Sequence, residues 1–487
     1  MQSLQKQFGP ILYIDDVSRD QASYRILYAC LHQPEMKVRD ASEQKVELIS
    51  ILGDLKFWLC SFHIKREMAS QKIEYSVDDR AYFFHNKGYE DITLCAAYVS
   101  CNGSERDRPH LAILPGRNSM WEHLYQVHQQ KPFHVLLHGG DQIYADGIWS
   151  EIEELKSWLE LPRSKQLTYV LKEETIALIR AYYFNCYMHH WSQAHIKDAM
   201  AHIPSFMMWD DHDIFDGYGS WGETYQSCPV YQAIFNVARE AFLLFQRGTK
   251  DQYRKMQLNQ FFSYDDCLFI APDLRSERTL NQVLSSHSWQ WLEDIFKQNT
   301  HKKNVVLMSS VPLATSHFSM LDPILTGFPS FIAEKLPRHL NPKRFADDIH
   351  DQWRVKAHRD EWYKMLNLLL NRVEQNQQKI AVLSGEIHLG ARSTIKRGPY
   401  TVMQYIASAI SHPPAHPFIA WACEFLSKDR QDLRGHIDIR MEKLFERGLK
   451  RYLRARNWLA LEIDQRGGYD ATWHGENVPS LKHSWKD

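Results

Sequence analysis

The stretch that most restricts this chain is Met207-Met208-Trp209-Asp210-Asp211-His212-Asp213, where an apolar run from Pro204 to Trp209 breaks directly into acid, acid, histidine, acid. The run reads as a buried strand. Carboxylates cannot continue inside it, because burying an unpaired carboxylate costs several kcal/mol or more. They must stand at the strand's end, in a cleft, beside something that neutralises them. In open α/β sheets the carboxyl ends of strands are where ligands bind, and a metal ion is an economical partner for such a cluster. Taken alone, the segment reads better as the capped start of the next element. The question is whether other strands end the same way.

Three more do. Leu94–Val99 is an unbroken apolar run ending Ser100-Cys101-Asn102-Gly103. Phe133–Leu137 ends His138-Gly139-Gly140-Asp141-Gln142-Ile143-Tyr144, and Ile380–Leu383 ends Ser384-Gly385-Glu386-Ile387-His388. Cys267–Ala271, followed by Pro272-Asp273-Leu274-Arg275, and Val305–Met308, followed by Ser309-Ser310-Val311-Pro312, extend the series, and strands near Thr401–Ile406 and Trp458–Ile463 complete it. Helical patterns fall between them, over Ser119–Gln129, Ser150–Ala201, Val230–Gln246 and Trp362–Gln377. Strand, polar end and helix in alternation make an α/β fold. Residues 1–90 differ, with short β-rich runs such as Tyr24–Leu31 and Phe57–Ile64 between polar turns, and these predict a small antiparallel β-sandwich that supports the rest. Residues 91–487 then form the main domain, with an insertion at 313–352, a helical C-terminal extension over about 416–456 and a closing strand.

Composition excludes several classes. Hydrophobic residues are 44% of 487, which suits a packed enzyme rather than a disordered chain. The net charge of -1 gives no global field for nucleic acid or anionic membrane. Arg447, Lys450, Arg451 and Arg454 fall at helical spacing, and with this neutral balance a solvated face is preferred to contact with lipid or nucleic acid. The apolar residues of the insertion, Leu321, Pro323, Ile324, Leu325, Phe328, Phe331 and Ile332, read as a packed excursion before they read as a lid. No signal-peptide form and no apolar run of about 18 residues is present. The eight cysteines are scattered without a CxxC pair. Reduced thiols and a cytoplasmic location are the expectation.

The strand ends offer a mixed ligand set. Asp141, Asp211 and Glu386 supply hard oxygens, His388 nitrogen, Cys101 a thiolate that a metal would deprotonate, and Tyr144 a phenolic oxygen suited to a highly charged ion. Such a mixture argues against a closed structural zinc site and for a multinuclear catalytic site with open positions. Asn102, Asp146, Asp210, Asp213, Asp216 and Asp273 fall to supporting or surface positions. His134, His138, His189 and His190 lie on or beside apolar segments and read as structural.

These motifs, taken together and in this order over roughly residues 90–465, resemble the alkaline phosphatase D (PhoD-like) branch of the calcineurin-like metallophosphoesterases. The resemblance implies a four-layer α-β-β-α sandwich preceded by a small β domain. It implies two or more metal ions, iron plus calcium or a set including manganese, magnesium or zinc. Carried over by motif, Cys101, Asp141 and Tyr144 would hold the iron-like centre. Asp141 would bridge to a second region bound by Asp211, Glu386 and His388. His212 would stabilise charge or protonate the leaving oxygen, and Arg275 is a candidate phosphate fork or, equally, a structural partner of Asp273. Glu386 stands where the family motif carries Asp. The implied activity is hydrolysis of a phosphomonoester or phosphodiester by a metal-activated water. The contrasting class is a non-catalytic metal- or phosphate-binding module on the same fold.

Overall fold

A computed structural model describes residues 6–113, 116–220, 222–250, 258–315, 352–427, 431–445 and 450–486. The N-terminal part forms β1 (Phe8–Val17), β2 (Gln21–Cys30), β3 (Met36–Val38), β4 (Ala41–Leu52), β5 (Leu55–Lys65), β6 (Gln71–Val77) and β7 (Arg80–Asn86). Then come β8 (Thr93–Val99), α1 (Ser119–Gln130), β9 (Val135–Gly139), α2 (Ile148–Glu151), α3 (Glu153–Leu159), α4 (Arg163–Gln166), α5 (Glu173–Trp191), α6 (Ile196–His202) and β10 (Ser205–Met208). The middle of the chain gives α7 (Glu223–Gln226), α8 (Pro229–Ala241), β11 (Gln260–Tyr264), β12 (Cys267–Ala271), α9 (Ser286–Gln298) and β13 (Asn304–Ser309). After it come α10 (Arg359–Asn376), β14 (Lys379–Ser384), β15 (Gly390–Arg397), β16 (Tyr400–Ile406) and α11 (Pro417–Leu426). The chain closes with β17 (Gln431–Leu433), β18 (Ile437–Glu442), β19 (Tyr452–Leu453), β20 (Asn457–Asp464), β21 (Tyr469–Gly475) and β22 (Leu481–Trp485).

Two sheets carry the site. In the first the order is β10-β9-β8-β20-β21-β22, with β10, β9 and β8 parallel and the rest antiparallel. In the second, β12, β13, β14 and β16 run parallel, β11 and β15 are antiparallel to their neighbours, and β18 and β19 extend from β15. Side-chain alternation shows how they stack. Leu94, Ala96 and Tyr98 of β8 join Val135, Leu137, Phe206 and Met208 in one core with the apolar residues of β12, β13 and β14. Cys95, Ala97, Val99, Leu136 and Met207 face the other way, onto Trp121 and Leu124 of α1 and the inner faces of α5 and α8. Trp289, Leu292 and Phe296 of α9 and Trp362, Leu366 and Leu369 of α10 cover the second sheet. Its central strands are buried on both faces, as continuous apolar runs require. The result is helices, sheet, sheet, helices.

The N-terminal strands form an antiparallel set in the order β4-β5-β2-β1, with β3, β6 and β7 in a separate three-stranded sheet. This region is also hydrogen-bonded to the rest, because β1 runs parallel to β10 at Tyr13–Ser205 and to β11 at Val17–Tyr264.

One helical expectation holds in divided form and one fails. The zone 150–201 is divided into five helices, broken where Ile152 turns extended and where Pro162 starts a new turn. Among the described residues, the C-terminal extension is helical only in α11. Of the basic cluster, Arg447 lies outside the described residues, and Lys450 to Arg454 surround the short strand β19. Tyr452 and Leu453 are consecutive buried residues paired with Ala391 and Gly390, an arrangement a helix cannot give, and this tertiary pairing overrides the spacing of the charges. The apolar insertion residues 321–332 lie outside the described residues.

Candidate metal centre

The parallel strands β8, β9, β10 and β14 all point their carboxyl ends at one rim, and backbone bonds continue past the strands to hold those ends together. Cys101 N–H donates to Gly140 O at 3.2 Å and Asn102 N–H to Asp141 O at 2.8 Å. Ile410 N–H reaches Ser100 O at 3.0 Å, and Gly385 N–H reaches Ser310 O at 3.0 Å. The sheets meet closely there. A Cβ on Gly385 would lie 2.4 Å from Ser100 Oγ, and one on Gly140, at φ +106°, would lie 2.8 Å from the Asp210 Cβ. These glycines serve the approach of one strand end to another.

Cys101, Asp141, Glu386 and His388 all have left-handed backbones, at φ +52°, +55°, +63° and +53°. Each costs of order 1–3 kcal/mol for a residue with a Cβ, a strain typical of functional sites. Cys101, Asp141 and Glu386 each lie two residues past a strand, and His388 lies in the turn between β14 and β15. Cys101 Sγ lies 3.4 Å from Asp141 Oδ2 and accepts from Ser408 Oγ at 3.0 Å. Tyr144 Oη lies 3.4 Å from His388 Nε2. The Tyr144 ring stacks on His212 at 4.2 Å between centroids. Glu386 Oε2 accepts from Gln352 Nε2 at 3.0 Å. Asp141, Asp210 and Asp211 each offer a carboxylate oxygen, all within 4.8 Å of one another, and Asp211, His212 and Asp216 form a second such group.

The electrostatics ask for positive charge. Asp141 is buried and its Oδ1 has no hydrogen-bond partner. Its carboxyl is held well above the usual range, first by burial, with His212 opposing and Asp210, Asp211 and Asp213 adding to the rise. Burial and then Asp141 push the Cys101 thiol up, and burial and then Cys101 and Asp141 push up the Tyr144 phenol. Burial pulls His388 well down. His212 goes the other way. Burial alone would lower it, but Asp146, Asp211 and Asp141 outweigh that and hold it well above an ordinary histidine. Its Nδ1 lies 2.8 Å from Asp146 Oδ2, while Asp146 Oδ1 accepts from Asp216 N–H at 2.7 Å.

A metal fits this donor set. An orphaned buried carboxylate oxygen, a thiol and a phenol are grouped where no side-chain cation among the described residues neutralises them all. The 3.4 Å between Cys101 Sγ and Asp141 Oδ2 is close to the spacing of adjacent donors on one ion, roughly 3 Å for bonds of 2.0–2.3 Å.

The comparisons with known proteins agree with this geometry. A family model described as PhoD related phosphatase matches residues 60–329. The chain belongs to that family. The solved structure of PhoD superposes with a TM-score of 0.59 at 13% identity, covering 99% of this chain and 90% of that one. Purple acid phosphatase PPD1 from yellow lupin (Lupinus luteus) seeds gives 0.53 at 9% identity, covering 98% of this chain and 74% of that one. Both likenesses place the sandwich in the metallophosphoesterase fold. YGR266W, an uncharacterized protein of Saccharomyces cerevisiae, is 26% identical over 403 residues, which are 70% of this chain and 57% of the yeast protein. The chain thus spans little more than half the length of that relative.

The strand ends that carry Cys101, Asp141, Tyr144, Asp211, His212, Glu386 and His388 lie at one rim, with Asp141 and Asp211 in one donor group and Asp211 and His212 in a second. Asn102 is a brace, with Oδ1 accepting from Trp121 Nε1 at 2.7 Å and from Ser411 Oγ at 3.1 Å. Asp213 accepts backbone N–H from Gln142 at 2.9 Å and from Asp210 at 2.9 Å, and burial first raises its carboxyl to about 7. Asp273 accepts from Trp209 Nε1 at 2.9 Å and from the Arg275 N–H at 3.1 Å. His138 spans Gln142 at 2.9 Å and Ser205 at 3.3 Å, and His134 Nδ1 accepts from Cys95 N–H at 3.0 Å, so both are structural.

Arg275 requires a correction. Its side chain is fully buried, Nε donates to Asp210, and Nη2 lies 3.5 Å from Asp211 Oδ1. It is the counter-ion of the acid pair, not a fork open to the cleft, and its ionic partner is Asp210 and not Asp273. Two residues escaped the sequence reading. His412 stacks on His388 at 3.7 Å, and its Nε2 lies 3.3 Å from Glu105 Oε2. Burial would raise the Glu105 carboxyl, yet the bond to His412 holds it low. The signal for His412 was present, since Ser408, Ser411 and His412 follow β16 just as the other polar ends follow their strands.

Proposed function

We propose that this chain is a metal-dependent phosphoester hydrolase. The observation that carries the reading is the convergence of Cys101, Asp141 and the Asp210–Asp211 pair around a buried oxygen, Asp141 Oδ1, that no group among the described residues satisfies. In this reading Cys101, Asp141 and Tyr144 would hold an iron-like ion, and Asp211, Glu386 and His388, together with Asp141, would hold a second ion, calcium or a similar metal. Such ions, when bound, supply Lewis acidity that activates water near neutral pH and neutralises phosphoryl oxygens.

The chain's own residues do the rest. Asp146 fixes the His212 ring by its Nδ1 and favours the imidazolium, leaving Nε2–H to donate to a phosphoryl oxygen or to protonate the leaving oxygen. Stacking on Tyr144 sets the plane of that ring. Arg275 offsets the charge of Asp210 and Asp211 in their buried position. Glu105 orients His412 in the same manner, one ring away from His388. The eight cysteines are buried free thiols, which supports a reducing compartment such as the cytoplasm.

Hydrolysis of p-nitrophenyl phosphate and bis-p-nitrophenyl phosphate tests the reading. We expect turnover that a chelator abolishes and that one of the candidate metals restores. Metal binding without hydrolysis of either compound, across all added metals, would assign the fold to a binding module instead.

A further inference from the structure

Helix α11 is apolar on both of its faces. Its inward side, Cys423 with Ile419 and Ala420 beside it, packs on Leu389, Ala391 and Ile406 in a cluster that also takes in Ile387, the residue between Glu386 and His388. Its outward side carries Phe418, Trp421 and Phe425, which are 61%, 60% and 57% exposed. Spacings of three and four put them on one stripe. The rings stack in series, at 5.9 Å from Phe418 to Trp421 and 5.8 Å from Trp421 to Phe425. The charged residue of the helix, Glu424, is neutralised by Arg451, whose backbone N–H donates to the carboxylate at 2.9 Å and whose Nη1 lies 3.3 Å from it. A helix at a water surface ordinarily turns a polar face outward. Single exposed apolar residues need no explanation, but three aromatic rings in contact mark an interaction surface.

The surroundings say which kind. Arg454 is exposed and donates its Nε to Ala415 O at 2.8 Å, just before the helix, and Lys450 is exposed next to Arg451. A second copy of this chain is a poor occupant, because a two-fold interface sets the same patch against itself and would bring these cations together. Aromatic rings with a cationic rim match the headgroup level of an anionic bilayer. The helix is also joined to the site. Ala415 N–H donates to His388 O at 3.1 Å, and His416 caps Phe418 N–H at 3.3 Å.

We propose that α11 seats this rim on a membrane surface containing anionic lipid, with Phe418 and Trp421 among the headgroups and Lys450 and Arg454 facing lipid phosphates. The site then faces phosphoesters carried by lipids. The substrate half of this inference rests on the hydrolase reading, and the docking half does not.

The test is flotation of the full chain with vesicles of phosphatidylcholine alone and of phosphatidylcholine with about one-third phosphatidylserine. The wild type floats with the anionic vesicles, more strongly at low salt. Phe418→Ser/Trp421→Ser lowers the bound-to-free ratio by about tenfold or more. Lys450→Glu removes much of the salt-dependent part. Both variants unfold at the wild-type temperature and hydrolyse soluble bis-p-nitrophenyl phosphate at the wild-type rate, while hydrolysis of a lipid phosphoester in vesicles falls with flotation. A wild type that stays with the unbound fraction at low salt, or an aromatic variant that floats as well as wild type, overturns the proposal. So does a wild-type dimer that the aromatic variant converts to monomer without any vesicle binding. Flotation without hydrolysis of either soluble nitrophenyl phosphate, across added metals, sinks the hydrolase reading and leaves the docking, and hydrolysis without flotation does the reverse.

Discussion

Replacing Arg275 by Met tests the charge balance of the site. The guanidinium is fully buried between Asp210 and Asp211. Methionine keeps much of the volume and leaves two buried carboxylates without that cation. Truncating one member of a buried ion pair costs about 3–5 kcal/mol. An unfolding entropy of about 2.1 cal/mol/K per residue gives roughly 1 kcal/mol/K over 487 residues, so the midpoint of metal-depleted protein should fall by about 3–5 °C. Calorimetry on wild type, Arg275→Met, Asp210→Asn and the double variant, all with chelator, checks this. The double variant should be more stable than the sum of the single losses by about 1–3 kcal/mol, because the neutral amide no longer needs the cation. If Arg275 is instead a phosphate fork, Arg275→Met unfolds within a degree of wild type and raises KM for a phosphodiester at unchanged kcat. That outcome would refute the counter-ion assignment.

Asp146→Asn removes the partner that holds His212 protonated, so kcat should fall about 10–100-fold and the alkaline limb of its pH profile should move to lower pH. Gly385→Ala sets a methyl group 2.4 Å from Ser100 Oγ and should cost about 1–3 kcal/mol by urea unfolding, with weakened metal binding because the ends of β8 and β14 must separate. Burial holds His128 and His134 at about 3, below the unfolded value near 6.5. Below pH 6.5 the unfolded chain therefore binds the extra protons, and stability present at neutral pH is lost as pH falls. Between pH 7 and 5 each histidine contributes a loss of order 2 kcal/mol, measurable as a lower unfolding midpoint that His134→Gln partly restores.

What the sequence revealed follows from how strongly burial constrains each segment. Apolar runs enclosed on both faces have sharp ends. Cys267–Ala271 and Ile380–Leu383 therefore fall within a residue of the observed strands, and the polar residues after them turn into one rim. The spacing of Arg447, Lys450, Arg451 and Arg454 misled, because exposed charges carry little information and the buried pair Tyr452–Leu453 joins the edge of β15. The true partners of Arg275, Asp210 and Asp211, were not legible, because its full burial depends on strands distant in sequence and no local pattern shows that Asp210 needs a counter-ion. His412 was legible by the rule that found Glu386 and His388, since its strand, β16, lies parallel to β14. Glu105 was not legible, because its role depends on a bond across 307 positions to His412.

Elemental analysis of the purified full chain, wild type beside Asp141→Asn, tests the central claim most directly. The account predicts more than one metal ion per wild-type chain, iron among them with a visible tyrosinate absorption from Tyr144, and joint loss of metal and hydrolysis in Asp141→Asn. Wild-type protein that hydrolyses phosphoesters after its metals are removed, or an Asp141→Asn chain that keeps both metal and turnover, contradicts it.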